Sequence, residues 1–113
     1  MTPKSLQVIL SDAAQRALAK LRSSNVKADK TIAKRVEYYE VRLLADCLEG
    51  EVIPCPLKKK AKPLEARHGN IANLYCCDLP SFWRLLYTIV RADGRPYVYV
   101  LEIVDHATYD KWF

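Results

Sequence analysis

The sequence predicts an α+β fold in which a helical hairpin packs on a small, mainly antiparallel four-stranded sheet, in the order β-α-α-β-β-β. Two amphipathic stretches with helical spacing occupy the first half of the chain. In the second half the pattern changes to runs rich in Tyr, Val, Ile and Trp, which favour strands. The length of 113 residues fits a single domain over residues 1–113.

The first half of the chain predicts one strand and two helices. Residues 6–10 are a short branched apolar run, which is typical of a strand. Ser11 follows as the N-cap of a helix over residues 12–22. A second helix is expected over residues 30–49, with Asp29 as its cap and a glycine just past its end. Each helix has one apolar face, so the two predict a hairpin that buries both faces.

The second half predicts a meander of three antiparallel strands. The strands are expected over residues 73–79, 82–91 and 96–104. The last two are joined through Asp93-Gly94, a strong hairpin signal. Residues 108–113 are expected to form a short terminal turn of helix.

Most of the net charge of +5 lies in one short segment. Residues 52–70 carry five basic side chains and one acidic one, whereas the rest of the chain is nearly balanced. Three prolines within residues 54–63 predict an exposed loop rather than a regular helix. Its lysines would attract a polyanion in a salt-dependent way, and the plain alternative is a loop that lysine keeps solvated.

Three side chains in the last third of the chain could carry chemistry. Arg84 lies on the face of the middle strand that core packing does not obviously need, so a ligand could sit there. The alternative is that Arg84 pairs with Glu102 or Asp105. His106 comes directly after the last strand, with Tyr109 one turn further on. An imidazole can act as a general acid or base, or it can be structural, capping a turn or pairing with Asp105.

Two stretches of the chain resemble a known family. Residues 73–89 read NLYCCDLPSFWRLLYTI, and residues 103–109 read IVDHATY. Both are similar to the core and the closing segment of the RelE/ParE superfamily of toxins from type II toxin–antitoxin systems, in particular its archaeal RelE-like branch. The predicted order of elements is similar as well.

The resemblance implies a metal-independent, ribosome-dependent endoribonuclease that cleaves mRNA by 2′-hydroxyl attack. It also implies a protein without a cofactor, inhibited by a cognate antitoxin protein. A cytoplasmic protein is expected separately, because no long apolar run follows Lys4 near the N-terminus. In this reading Arg84 holds the phosphate, His106 is an acid or base, and Tyr109 supplies a hydroxyl or a stacking ring. The basic residues that would bind the RNA backbone are Lys58, Lys59, Lys60, Lys62 and Arg67.

Two other functions stay open at this point. The first is a non-catalytic module on the same fold, either ParE-like and directed at gyrase or binding nucleic acid through the lysines alone. The second is a small interaction protein that uses exposed aromatic side chains, for which Tyr75, Trp112 and Phe113 are the candidates. An arrest of growth with intact mRNA would favour the first of these over a nuclease.

The four cysteines could in principle bind zinc, with His68 as a spare ligand, but their spacing argues against it. They include no C-x-x-C pair, and adjacent Cys76 and Cys77 on a strand would point to opposite faces. Cys47 lies on the apolar stripe of the second predicted helix and is expected to be buried. No apolar stretch reaches the length of a membrane span, so no membrane partner is expected.

Overall fold

A mixed β-sheet with helices on both faces makes up the computed structural model, which describes residues 7–47, 51–52, 62–69, 71–92 and 95–113. The strands are β1 (Val8–Leu10), β2 (Glu51–Val52), β3 (Tyr75–Asp78), β4 (Arg84–Ala92) and β5 (Arg95–Val104). The helices are α1 (Asp12–Ser23), α2 (Lys27–Ala45), α3 (Lys62–His68) and α4 (His106–Trp112). The strand order is β1-β5-β4-β3-β2, with β1 parallel to β5 and the other pairs antiparallel.

The predicted α+β class is confirmed. The four predicted strands form a mixed sheet, and the two-residue β2 adds to its edge beside β3. The terminal helix is present as α4, two residues earlier than expected. The second helix begins at Lys27 rather than at residue 30, so Asp29 lies in its first turn, where its carboxylate accepts a hydrogen bond from the Ser24 hydroxyl at 2.7 Å.

The prediction of a loop through residues 54–63 is wrong at its end, because α3 begins at Lys62. Proline is compatible with the first turn of a helix, where its missing N–H has no partner to lose, so Pro63 does not prevent the helix. Residues 54–61 of the predicted loop lie outside the described residues.

The hairpin of α1 and α2 covers one face of the sheet, as predicted. Apolar side chains of both helices pack on alternate residues of β4 and β5, the largest being Leu18, Leu21, Ile32, Val36, Leu43, Leu85, Tyr87, Val98 and Val100. Ser11 joins the layers, because its hydroxyl donates to the Leu101 carbonyl at 2.6 Å and accepts from the Ala14 amide at 3.1 Å. The predicted N-cap of α1 is therefore confirmed.

The other face of the sheet is covered as well, by α3 and α4. A second buried cluster there consists of Leu64, Ile71, Leu74, Leu86, Leu101, Val104 and Trp112. The expectation that this face is not needed for core packing is therefore wrong. The physical reason is that Leu86 and Leu101 are too apolar to leave in water, so the chain folds two short helices over them.

A bulge in β5 changes which side chains reach that second face. Leu86 pairs with Glu102, but the next residue, Tyr87, pairs with Val100. Leu101 is the extra residue, so Leu101 and Glu102 both lie on the second face. A carboxylate is thus placed within an apolar layer.

The side chain of Asn73 extends the pairing of β3 with β4 beyond the end of β3. Its Nδ2 donates to the Ile89 carbonyl at 3.0 Å, and its Oδ1 accepts from the Ile89 amide at 2.7 Å. The same oxygen accepts from the Thr88 hydroxyl at 2.9 Å. The Asn73 side chain therefore forms the hydrogen bonds that a backbone amide and carbonyl of β3 would form, although it lies two residues before β3 begins.

We expect Asn73→Ala to lower the free energy of unfolding by about 2–3 kcal/mol, because it removes three hydrogen bonds and leaves strand groups unpaired. Thr88→Val removes one of the three and should cost about 1 kcal/mol. Urea denaturation of both variants measures the difference. Equal losses of unfolding free energy in the two variants would show that the Asn73 side-chain amide does not contribute to the pairing with β4.

Candidate functional site

Arg84 lies at the first position of β4, opposite Asp78 at the end of β3. Its Nε is 3.3 Å from Asp78 Oδ1, and its Nη1 donates to the Trp83 carbonyl at 3.0 Å. The guanidinium carbon lies 5.3 Å from the centre of the Tyr109 ring. Arg84 is only 21% exposed, so these contacts hold the guanidinium at the edge of the sheet with one side towards water.

The alternative in which Arg84 pairs with Glu102 or Asp105 is wrong, because Arg84 pairs with Asp78. Antiparallel register puts Asp78 directly across from Arg84, whereas both other carboxylates are engaged elsewhere. The Asp78 side chain is 80% exposed, so water screens this ion pair and it can open at little cost.

Helix α4 carries the other two predicted site residues. Asp105 is its N-cap and accepts a hydrogen bond from the Thr108 amide at 2.8 Å. Hydrogen bonds from Thr108 hold the pKa of Asp105 below its usual value. His106 Nε2 is 3.1 Å from Asp110 Oδ2, one turn along, rather than paired with Asp105. The carboxylate orients the imidazole on the exposed side of the helix.

Tyr109 lies one turn after His106, where residues three apart share a helix face. Burial raises the pKa of the Tyr109 phenol, and the Arg84 cation acts in the opposite direction. The phenol is therefore protonated at neutral pH and presents a hydrogen-bond donor. The structure thus brings Arg84 into contact with Tyr109, and His106 lies on the same helix.

The turn that precedes β4 adds an aromatic ring that the sequence analysis did not single out. Ser81 and Phe82 have φ angles of 60° and 63°, and they are the only residues other than glycine with positive φ in the described part of the chain. This conformation costs about 1–2 kcal/mol for each such residue. Phe82 is 69% exposed, and its ring centre is 5.8 Å from that of His106.

The predicted basic residues are separated by the structure. Lys58, Lys59 and Lys60 lie outside the described residues, and Lys62 is exposed at the start of α3. Arg67 Nη1 donates to Glu102 at 3.2 Å, and its guanidinium lies 5.6 Å from the ring centre of Trp112. Arg67 therefore serves partly to neutralise a buried carboxylate.

Glu102 and His68 form a pair that the sequence analysis missed. Their side chains are 6% and 10% exposed, with His68 Nε2 2.7 Å from Glu102 Oε2. The available signal was a single acidic residue inside the apolar run of β5, since a buried carboxylate needs partners. Glu102 also lines a cavity of about 430 Å³, together with Arg67, Trp83 and Thr108 among others.

The cysteines follow the expectations that the structure can test. Cys47 is buried in the first core, and Cys77 lies in that core whereas Cys76 packs against the second. None of the three is in a disulfide, and Cys55 lies outside the described residues. Within the described ranges, no group of three or more His, Cys, Asp or Glu side chains could hold a metal ion.

The aromatic side chains expected to be exposed are covered instead. Tyr75 stacks on Tyr87 with ring centres 5.2 Å apart. Trp112 is buried, and Phe113 packs against the second core beside Tyr109. The expectation of an exposed side chain is therefore wrong for Trp112, whereas Tyr75 and Phe113 are half-buried.

Comparison with known proteins returned no relative. No protein-family model matches the chain, and neither a curated protein nor a solved structure matches it. Among the described residues, no helix has the length and apolar character needed to cross a membrane. The geometry described above is therefore the basis for any functional assignment.

We expect Asp105→Ala to destabilise the protein by about 1 kcal/mol at neutral pH, because α4 loses its cap, whereas Asp105→Asn should retain most of the stability. The folded-state pKa of Asp105 lies below its unfolded value of about 3.9. The carboxylate therefore stabilises the fold above that value and ceases to do so as the pH falls through the folded pKa. Between pH 7 and pH 3, the midpoint of thermal unfolding of the wild type should approach that of Asp105→Ala. A difference between the two midpoints that stays constant with pH would show that the Asp105 carboxylate does not cap α4.

Proposed function

We propose that the protein is the toxin of a toxin–antitoxin pair, a cytoplasmic endoribonuclease of RelE-like fold that cleaves mRNA on the ribosome. The observation that carries the proposal is the contact of Arg84 with Tyr109, on the helix that also presents His106. It supplies a cation, a hydroxyl and an imidazole at one edge of the sheet, which are the groups that phosphodiester cleavage needs. The residues come from two segments that resemble the toxin family.

The proposed reaction is attack of a ribose 2′-oxygen on the adjacent phosphorus. The P–O5′ bond breaks, and the products are a 2′,3′-cyclic phosphate and a 5′-hydroxyl. Arg84 binds the phosphate oxygens and stabilises the charge that grows on them. Within the described residues the Nη2 end of its guanidinium makes no hydrogen bond, so that end is available to the phosphate.

The two protons move through α4 in this proposal. His106 donates Nε2–H to Asp110, which leaves Nδ1 as the base that accepts the 2′-hydroxyl proton. Tyr109, whose pKa is raised by burial, holds its proton at neutral pH and donates it to the leaving 5′-oxygen. The proposed steps use the side chains of Arg84, His106 and Tyr109 alone.

A protein partner, the antitoxin, belongs to the same proposal. Tyr38, Val41 and Leu44 are all more than 40% exposed, and their spacing of three residues places them along one side of α2. Arg35 lies over the Tyr38 ring at 4.4 Å, and Lys34 is exposed nearby. An amphipathic helix with acidic flanks is the kind of segment that fits this stripe.

We expect Arg84→Gln to lower the rate of mRNA cleavage about 100-fold or more, because the phosphate loses its bound cation. Arg84→Lys should recover little of the cleavage rate, since an ammonium lacks the planar pair of N–H groups with which a guanidinium binds a phosphate. Arg91→Gln is the matched control, an exposed arginine on the same strand about 23 Å further along. The measurement is cleavage of ribosome-bound mRNA, with mapping of the product ends.

Two outcomes would contradict the nuclease. If Arg84→Gln cleaves as fast as the wild type, the site is assigned to the wrong residue. If the protein arrests growth while mRNA stays intact, the non-catalytic alternative, directed at gyrase or at nucleic acid through the lysines, is correct instead.

Asp78→Asn provides a test in the opposite direction. The Asp78 carboxylate competes with a phosphate for Arg84, so its removal should strengthen RNA binding about 3- to 10-fold at low salt. Asp12→Asn removes an equal charge from the exposed start of α1, away from Arg84 and α4, and it serves as the control for net charge. Weaker binding by Asp78→Asn would show that Asp78 holds Arg84 in its working position.

A further inference from the structure

The turn Pro80–Phe82 holds an exposed aromatic ring in an unfavourable backbone conformation. Ser81 and Phe82 are both in the left-handed region, which glycine or asparagine adopts more readily. The turn is firmly closed, because the Leu79 amide donates to the Trp83 carbonyl at 2.9 Å and the Trp83 amide to the Pro80 carbonyl at 3.3 Å. Burial of the Phe82 ring does not offset the unfavourable backbone conformation, since Phe82 is 69% exposed.

The surroundings of the ring indicate what it faces. Phe82 lies beside His106 with ring planes tilted by 52°, and Arg84 follows two residues later. Pro80, at the start of the turn, lines a cavity of about 530 Å³ together with Lys34 and Arg35 of α2. The exposed ring therefore lies beside the imidazole of His106 and two residues before Arg84, and the turn that carries it borders a cavity lined by two cations and by the Asp78 carboxylate.

An exposed ring among cations is the arrangement that binds single-stranded nucleic acid. Bases of a single strand stack on aromatic side chains, while basic groups hold the phosphates between them. A rigid turn favours this role because the ring is presented in one position before the base arrives. A buried or packed ring could not do this.

We infer that Phe82 is a stacking platform for the base of a nucleotide next to the phosphate held by Arg84. The ligand class is single-stranded RNA with an unpaired base at that position. The inference rests on the proposed RNA site at Arg84, and it adds a residue that selects for unstacked RNA without reading the identity of the base.

The test is binding of a short single-stranded RNA with 2′-O-methyl riboses, which cannot undergo 2′-hydroxyl attack. Fluorescence anisotropy should show that Phe82→Ala weakens binding about 10-fold, whereas Phe82→Trp binds as well as the wild type. Phe82→Leu keeps an apolar side chain without a ring and should behave like the alanine variant. Val26→Ala, at a position that is 56% exposed just before α2, is the matched control and should bind normally.

An abasic nucleotide scanned along the RNA identifies the stacked base. At one position the abasic nucleotide should weaken binding to the wild type about 10-fold, as Phe82→Ala does. At that position it should not weaken binding to Phe82→Ala any further. Additive losses at every position would overturn the inference. Binding by Phe82→Leu equal to the wild type would also overturn it, because that result indicates an apolar docking surface for a protein.

The two proposals fail in different ways. If the wild type binds RNA and Arg84→Gln does not, but Phe82→Ala binds normally, the stacking role is wrong and the proposed function stands. If the wild type itself does not bind the RNA and does not cleave ribosome-bound mRNA, the proposed function is wrong. Thermal unfolding should be unchanged in Phe82→Ala, since the ring is exposed, and a lower midpoint would assign Phe82 to the fold instead.

Discussion

Strands β4 and β5 are apolar on both faces, and the rest of the structure depends on the need to cover both. The hairpin of α1 and α2 buries Leu85 and Val100 on one side, and α3 and α4 bury Leu86 and Leu101 on the other. At about 25 cal/mol for each Å² of apolar surface removed from water, neither face can be left open. The candidate site therefore does not lie on the part of either face that the helices cover. The candidate site is instead at the edge where β4 begins, β5 ends and α4 starts, and where side chains of three elements meet without being enclosed.

The bulge in β5 buries a charged side chain, and side chains of α3 compensate for that charge. By placing Glu102 next to Leu101 on the covered face, it forces a carboxylate into an apolar layer, where an unpaired charge would cost several kcal/mol. His68 and Arg67 supply the partners, and both lie at the end of α3. This pairing has a consequence for the site. Glu102 is already neutralised, so the counter-ion of Arg84 among the described residues is the exposed Asp78, and water screens that ion pair.

The edge site combines rigid support with accessible groups. Asp105 caps α4 and so sets the helix that carries His106 and Tyr109, while the closed turn before Trp83 sets Phe82 and Arg84. Each functional side chain is thus fixed by a backbone feature adjacent to it in the sequence. The imidazole and the ring of Phe82 remain exposed, as the proposed binding of RNA requires. The partly buried phenol of Tyr109 lies between them and the core, which keeps it protonated.

The sequence by itself determined the class of the fold, the helical hairpin, the three later strands and the cap of α1, because local spacing and capping chemistry decide these features. The grouping of Arg84, His106 and Tyr109 came from the resemblance to the toxin family, and the structure places Arg84 against Tyr109 on the helix that carries His106. Only the tertiary structure decided that α3 begins at Lys62, that the second face is closed, and that Arg84 pairs with Asp78. The strained turn at Phe82 and the burial of Glu102 were also decided there. These features depend on register, on a bulge and on contacts between residues far apart in the chain, none of which local pattern encodes.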